Sequence, residues 1–375
     1  MIASPAHATG RATPSRSWLQ PFNPRTWLRN GHLQTIAGNF LRRSGTMPPL
    51  SERLVVPVEP AHRFIPPSGP AVEVPPSSVL CLCHWQPAAM RNHALTVVLI
   101  HGLEGSANSG YILGNTIRLW QQGCNVVRMN MRSCGGSDEL APTIYHSGRS
   151  EDVAAVVDTL AARGLERVAL IGYSMGGNLA FRYAGQQALL PASQRNPSLC
   201  ALAGVSPLLD LAPSSAALHL PGNRLYEQRF LRAMKKRLRT KARLFPALYA
   251  ALEQEGVYAQ IRTMRDFDGE IVARYGGFAD AADYYEQVRA SHFAADLHLP
   301  TLVLYSLDDP FIRTTPQTRD ALLANPNVEY IETRHGGHCA FLSQPGSQAG
   351  NQPDTQGRWA EETLAQWLLH QQAQP

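Results

Sequence analysis

The segment RVALIGYSMGGNLAFRYAG (167–185) constrains this chain more than any other stretch. A short apolar run, Val168 to Ile171, enters Gly172-Tyr173-Ser174-Met175-Gly176 and passes directly into a helical pattern. A strand that becomes a helix within so few residues has to turn sharply, and the G-x-S-x-G spacing meets that demand. The residue at the apex takes a strained backbone conformation, while glycines two positions to either side let strand and helix approach without Cβ clashes. The serine hydroxyl then projects above the carboxyl end of a sheet.

The surrounding chain keeps the same rhythm. LTVVLI (95–100), GCNVVRMN (123–130), CALAGVSP (200–207), LPTLVLYS (299–306) and NVEYIET (327–333) read as strands. Helical patterns lie at 110–122, at 150–164 with Val153, Val156, Val157 and Leu160 on one face, and at 360–369. Near-continuous apolar strands alternating with helices predict an α/β fold, a mostly parallel central sheet flanked by helices. RLVVPVE (53–59) and VLCLCHW (79–85) read as early edge strands joined by the Pro-rich 64–77. Between 211 and 297 the alternation stops and only helical pieces remain, which predicts a helical cap insertion. The expected organisation is a disordered tail at 1–20, a first part of the core at 21–210 with a mostly irregular arm at 21–51, the cap at 211–297 and a second part of the core at 298–375. GSQAGNQPDTQG (346–357) reads as a polar surface loop.

Composition excludes several classes. With 44% hydrophobic and 17% charged residues, the chain is too apolar to be wholly disordered. No apolar run reaches the ~20 residues of a membrane-spanning helix. The opening MIASPAHATGRATPSRSW has no apolar core of a secretory signal, so a cytoplasmic location is expected. Six cysteines (81, 83, 124, 134, 200 and 339) without a CxxC pair read as reduced, partly buried thiols. The net charge of +5 is localised: residues 1–51 carry six Arg and no acid, 229–243 carry eight cations and no acid, and the remainder is net acidic. No nucleic-acid partner is expected from that pattern. The basic segment is amphipathic through Phe230, Leu231, Met234 and Leu238; it reads as a solvated cap helix, with peripheral membrane contact through 229–243 as the second reading.

A serine hydroxyl needs a base to become a nucleophile. The sheet logic places an acid after a late strand and a histidine after the last one, in the chain order Ser, Asp, His. TLVLYS (301–306) runs into Leu307-Asp308-Asp309-Pro310-Phe311-Ile312, and NVEYIET runs into Arg334-His335-Gly336-Gly337-His338. Asp309, pinned by the following Pro-Phe-Ile, is the predicted acid; Asp308 is the alternative, otherwise a hydrogen-bond acceptor that organises the loop. His338, freed by two glycines, is the predicted base, with His335 beside the site. A developing oxyanion needs backbone donors from two places, predicted as the amides of Met175 and of Leu103 in HGLEG (101–105). Glu104 beside it would oppose charge development unless paired. NMRSCGGS (130–137) reads as a structural turn, with Arg132 as a candidate partner for Glu104. An HxxH beside two carboxylates also admits a metal reading, but that leaves the Ser174 elbow unexplained. No metal and no cofactor are predicted.

Taken together, NGHLQTI (30–36), HGLEGS (101–106), NMRSCGGS (130–137), GYSMGGN (172–178), DDPF (308–311) and HGGHCAF (335–341) resemble the YheT-like branch of the α/β-hydrolases over roughly residues 25–372. That branch is related to eukaryotic α/β-hydrolase-domain proteins and yeast ethanol acyltransferases. The resemblance implies an α/β-hydrolase with a helical cap, activity on carboxylic esters or acyl lipids, and Ser174, Asp309 and His338 as nucleophile, acid and base. The expected function is a serine carboxylic-ester hydrolase acting on a small-molecule acyl ester or lipid, as a monomer by default. Acyl transfer to an alcohol and a catalytically silent binding protein stay open as alternatives.

Overall fold

The computed structural model describes residues 18–41, 43–65, 70–345, 348–349, 352–353 and 356–373. Eight strands build one sheet: β1 (Glu52–Glu59), β2 (Ser77–His84), β3 (Thr96–Ile100), β4 (Asn125–Met129), β5 (Val168–Tyr173), β6 (Leu199–Val205), β7 (Thr301–Ser306) and β8 (Val328–Thr333). Their order is β1-β2-β4-β3-β5-β6-β7-β8. β2 pairs antiparallel with both β1 and β4, and all other neighbours are parallel.

Side chains alternate across the strands, so the apolar runs feed two helix layers at once. On one face Val98, Ile100 and Leu170 pack with Val156 and Leu160 of α3 (Ser150–Ala162) and Leu179 of α4 (Met175–Leu189). On the other, Val97, Leu99 and Ile171 pack with Ile112 and Leu119 of α2 (Gly110–Gln121) and Leu364 and Trp367 of α10 (Trp359–Gln372). Burial on both sides explains why β3, β4, β5 and β7 show no polar alternation.

Between β6 and β7 the described chain is helical. It includes α5 (Leu211–Leu218), α6 (Arg224–Leu244), α7 (Pro246–Gln254), α8 (Ala281–Val288) and a six-residue π-helix at Asp268–Ala273. The apolar stripe of α6, Leu231, Met234 and Leu238, is buried. Lys241 on the same helix is buried as well, its ammonium donating to the carbonyls of Asp138 and Ala141. Among the described residues no helix is long and apolar enough to cross a membrane.

Two sequence expectations change. The described arm at 21–51 is irregular apart from α1 (Gly31–Phe40), which starts where Asn30 caps the amides of His32 and Leu33. β2 is not an edge strand: it pairs on both sides, and its Cys and Leu residues are buried. The Pro-rich connection holds a small hairpin, His62–Phe64 against Val72–Val74. A helix that the sequence reading passed over, α9 (Pro316–Ala324), makes the crossover from β7 to β8, with Thr315 as its N-cap. The predicted tail lies outside the described residues up to residue 17, and so does much of the 346–357 loop.

Candidate active site

At the end of β5 the chain turns at Ser174, with φ 54° and ψ −119°, and α4 begins at Met175. The two flanking glycines are required sterically. A Cβ on Gly172 would lie 2.4 Å from the Gly176 carbonyl oxygen, and one on Gly176 would lie 2.4 Å from the His101 carbonyl oxygen. The Ser174 carbonyl accepts from the amides of Gly177, Asn178 and Leu208, which locks the strained turn.

The two candidate acids diverge. Asp309, buried after β7, takes the Phe311 and Ile312 amides on Oδ1 (3.1 and 2.9 Å) and has Oδ2 2.8 Å from His338 Nδ1. Asp308 Oδ1 accepts from the Ser306 hydroxyl (3.0 Å) and the Gly337 amide (2.8 Å), while its Oδ2 lies 3.5 Å from His335 Nδ1. The two histidines therefore face different carboxylates and do not converge on one point. The His338 amide donates to Thr35 Oγ1 on α1 at 2.8 Å, so the arm holds the histidine loop. Gly337 has φ 57°, and a Cβ there would meet the Gly31 carbonyl at 2.4 Å.

His338 Nε2 has Cys339 Sγ at 3.6 Å. Burial alone would push this imidazole down, but the Cys339 sulfur and the Asp309 carboxylate outweigh it, and His338 is pushed up to about 10. Ser174 Oγ makes no hydrogen bond among the described residues. Ser174, His338, Leu103 and Met175 all line one cavity of about 440 Å³, whose upper wall includes Phe230 and Met234 of α6.

The loop after β3 is pinned on both sides of Leu103. The Gly102 amide donates to Tyr111 Oη at 3.0 Å, and the Glu104 amide donates to Tyr145 Oη at 2.8 Å. Among the described residues the Leu103 and Met175 amides reach no protein acceptor, which leaves both free for a ligand oxygen. Gly102 packs on Ser174, where a Cβ would stand 3.1 Å from the Ser174 Cβ. His101 braces this loop from behind: its Nδ1 is 2.8 Å from the Gly102 carbonyl and its Nε2 accepts from the Met131 amide at 3.1 Å. Burial pushes it down to about 4, so it is neutral, with the proton on Nδ1.

Glu104 sits at φ 55° and is paired, but not by Arg132. Arg237 of α6 grips it with Nε 2.8 Å from Oε1 and Nη2 3.1 Å from Oε2, and the Tyr145 hydroxyl donates to Oε1 at 2.8 Å. Arg132 is fully buried and committed elsewhere, to Asp152 (2.6 Å) at the start of α3 and Glu59 (2.5 Å) at the end of β1. Two nearby carboxylates outcompete a third on the far side of the turn. Sequence reasoning missed Arg237, Tyr111, Tyr145 and Thr35. Only the NGHLQTI motif carried a signal, and only for Thr35.

Comparison with known proteins agrees with this architecture. Residues 96–345 match the model of the alpha/beta hydrolase fold family. The chain is 31% identical over 351 residues to "Putative esterase YheT" of Escherichia coli (strain K12), covering 92% of each chain. It is 24% identical to a monoacylglycerol lipase of Saccharomyces cerevisiae over 72% of this chain, and spans 58% of that protein. Among solved structures, a thermophilic esterase from Thermogutta terrifontis is 16% identical with a TM-score of 0.47, over 86% of this chain and 99% of that one. The family-model match over residues 96–345 and the similarity to the Escherichia coli protein show that the chain belongs to the α/β-hydrolase family, in its YheT-like branch.

Proposed function

We propose that this protein is a serine hydrolase of carboxylic esters, with Ser174 as nucleophile, His338 as base, Asp309 as its orienting acid, and the Leu103 and Met175 amides as the oxyanion hole. The family, together with relatives named as esterase and lipase, supports a hydrolase of esters or lipids. The triad and the acyl chemistry are our reading. The observation that carries it is the 2.8 Å contact from Asp309 to His338 on loops that follow adjacent strands, with the imidazole and the strained Ser174 on one cavity.

In this reading the ester carbonyl enters between Ser174 Oγ and the two unused amides. Oγ attacks the carbonyl carbon and its proton passes to His338 Nε2, while the Nδ1 proton stays on the imidazole, donated in a hydrogen bond to the Asp309 carboxylate. Closing the Ser174–His338 hydrogen bond belongs to the substrate complex, as is common for catalytic contacts that are loose without ligand. The tetrahedral oxyanion accepts hydrogen bonds from the Leu103 and Met175 amides, and the α4 N-terminus adds favourable potential. His338 then protonates the departing alcohol, and water attacks the acyl-Ser174 ester with the same base. The segment 211–297 acts as the cap, supplying the apolar upper wall for the acyl chain. Ser174→Ala should lose turnover of activated esters by about three orders of magnitude or more, and lose fluorophosphonate labelling, with an unchanged circular dichroism spectrum. Parent-level turnover in that variant would refute the assignment.

A further inference from the structure

Helix α1 is amphipathic the wrong way round for a helix on a water-facing surface. Two of its polar residues, Gln34 and Thr35, are buried against the core. Gln34 Nε2 donates to the Leu28 and Leu342 carbonyls (2.8 and 3.1 Å), and its Oε1 accepts from the Leu342 amide at 2.8 Å. Thr35 bonds the Gly31 carbonyl and the His338 amide. The apolar residues point outward: Leu33, Ile36 and Phe40, at spacings of three and four, share one face and are 50%, 46% and 76% exposed. The polar contacts anchor the helix and prevent it from rolling to hide that face.

The location gives the face a use. Ile36 and Phe40 also line the cavity that holds Ser174. Across that rim, the first turn of α6 carries Leu225, 80% exposed, and Tyr226, whose ring stacks on His32 of α1 at 5.7 Å. The two helices thus bring their outward apolar residues to one side of the opening. The charges there are cationic. Arg29, Arg224 and Arg229 are exposed and have no ion-pair partner among the described residues. Glu227, the acid of this stretch, turns inward to His219 (3.2 Å) and the Met264 amide (3.1 Å). An apolar strip ringed by free arginines beside an apolar cavity mouth complements one kind of surface, acyl chains beneath anionic headgroups.

We propose that the Leu33–Ile36–Phe40 face of α1, together with Leu225 of α6, docks on an anionic lipid surface and places the cavity mouth against it. An acyl ester could then move from the lipid phase to Ser174 without crossing water; that last step rests on the function proposed above, whereas the docking does not. The test is vesicle flotation with the Ser174→Ala protein, so that hydrolysis plays no part. Vesicles of phosphatidylglycerol and phosphatidylcholine should carry the protein, pure phosphatidylcholine should carry less, and rising ionic strength should weaken the difference. The double variant Leu33→Asp/Leu225→Asp, at positions outside the cavity, should lose about ten- to a hundred-fold in partition. In the Ser174 background the same pair should retain parent turnover of a water-soluble ester. Equal partition of parent and double variant would overturn the proposal. Failure of the parent to bind either vesicle would overturn it too, and leave the face to residues 1–17 or a second copy, which sedimentation would distinguish.

Discussion

Arg237 offers the sharpest perturbation, because its guanidinium spans two parts of the molecule that the proposed chemistry needs together. It reaches from α6 to Glu104, the residue after the Leu103 amide, and both side chains are only 14% exposed. Arg237→Gln would leave the Glu104 carboxylate with the Tyr145 hydroxyl as its remaining partner. Breaking a largely buried ion pair from one side costs about 3–5 kcal/mol. Part of that would appear as lowered stability. The rest would fall on the loop, since Glu104 holds a positive φ that its contacts maintain. Displacing one oxyanion donor costs about 10²- to 10³-fold in kcat, and an unpaired carboxylate beside the developing oxyanion acts in the same direction. The expected result is a kcat lower by about 10²-fold, with a smaller change in KM, measured as initial rates on a soluble chromogenic ester. The pair Glu104→Gln/Arg237→Gln removes the stranded charge and should recover most of the loss, giving a coupling energy of about 2–3 kcal/mol in the cycle. Arg237→Lys should fall between, because one ammonium cannot reproduce two parallel contacts. A single Arg237→Gln variant with parent kcat and unchanged melting temperature would refute the reasoning. Absence of rescue would place the effect in packing instead of charge.

Three other outcomes follow from the same geometry. Cys339 lies against His338 Nε2 and helps raise that imidazole, so Cys339→Ala should move the ascending limb of the kcat/KM–pH profile to lower pH; an unmoved limb would exclude the sulfur as a cause. The sign for stability is the reverse of a carboxylate's: with a folded value of about 10 against an ordinary 6.5, the contribution of His338 is complete below 6.5 and is lost as pH rises through about 10, which denaturant midpoints across that range would report. Gly176→Ala places a methyl 2.4 Å from the His101 carbonyl oxygen and 2.5 Å from that of Ile100, both backbone atoms, so it should yield little soluble folded protein; a normal yield with a native melting curve would show that the elbow tolerates a wider separation.

Much of the molecule was legible in the linear order of residues, for a local reason. A strand reads as an apolar run, a helix as a 3.6-residue period and the elbow as two glycines around a serine, and each property is set within about ten neighbours. The run 168–171 and the glycines at 172 and 176 therefore announced both the parallel sheet and the turn at Ser174. The arm was harder, since α1 buries Gln34 and Thr35 and offers no ordinary amphipathic pattern; only the Asn30 cap marks its start. What the tertiary structure alone decided is which distant groups meet. Eight cations between 229 and 243 are equivalent on paper, yet only the packing of α6 brings Arg237 to Glu104, 133 residues away, and only the docking of α1 sets Thr35 under His338, 303 residues away. Asp308 and Asp309 are chemically identical neighbours, separated by which way a loop between two strands points them. Periodicity carries the first kind of information along the chain. The second kind depends on how the layers pack, and pairing energies between remote charges leave no mark on local sequence.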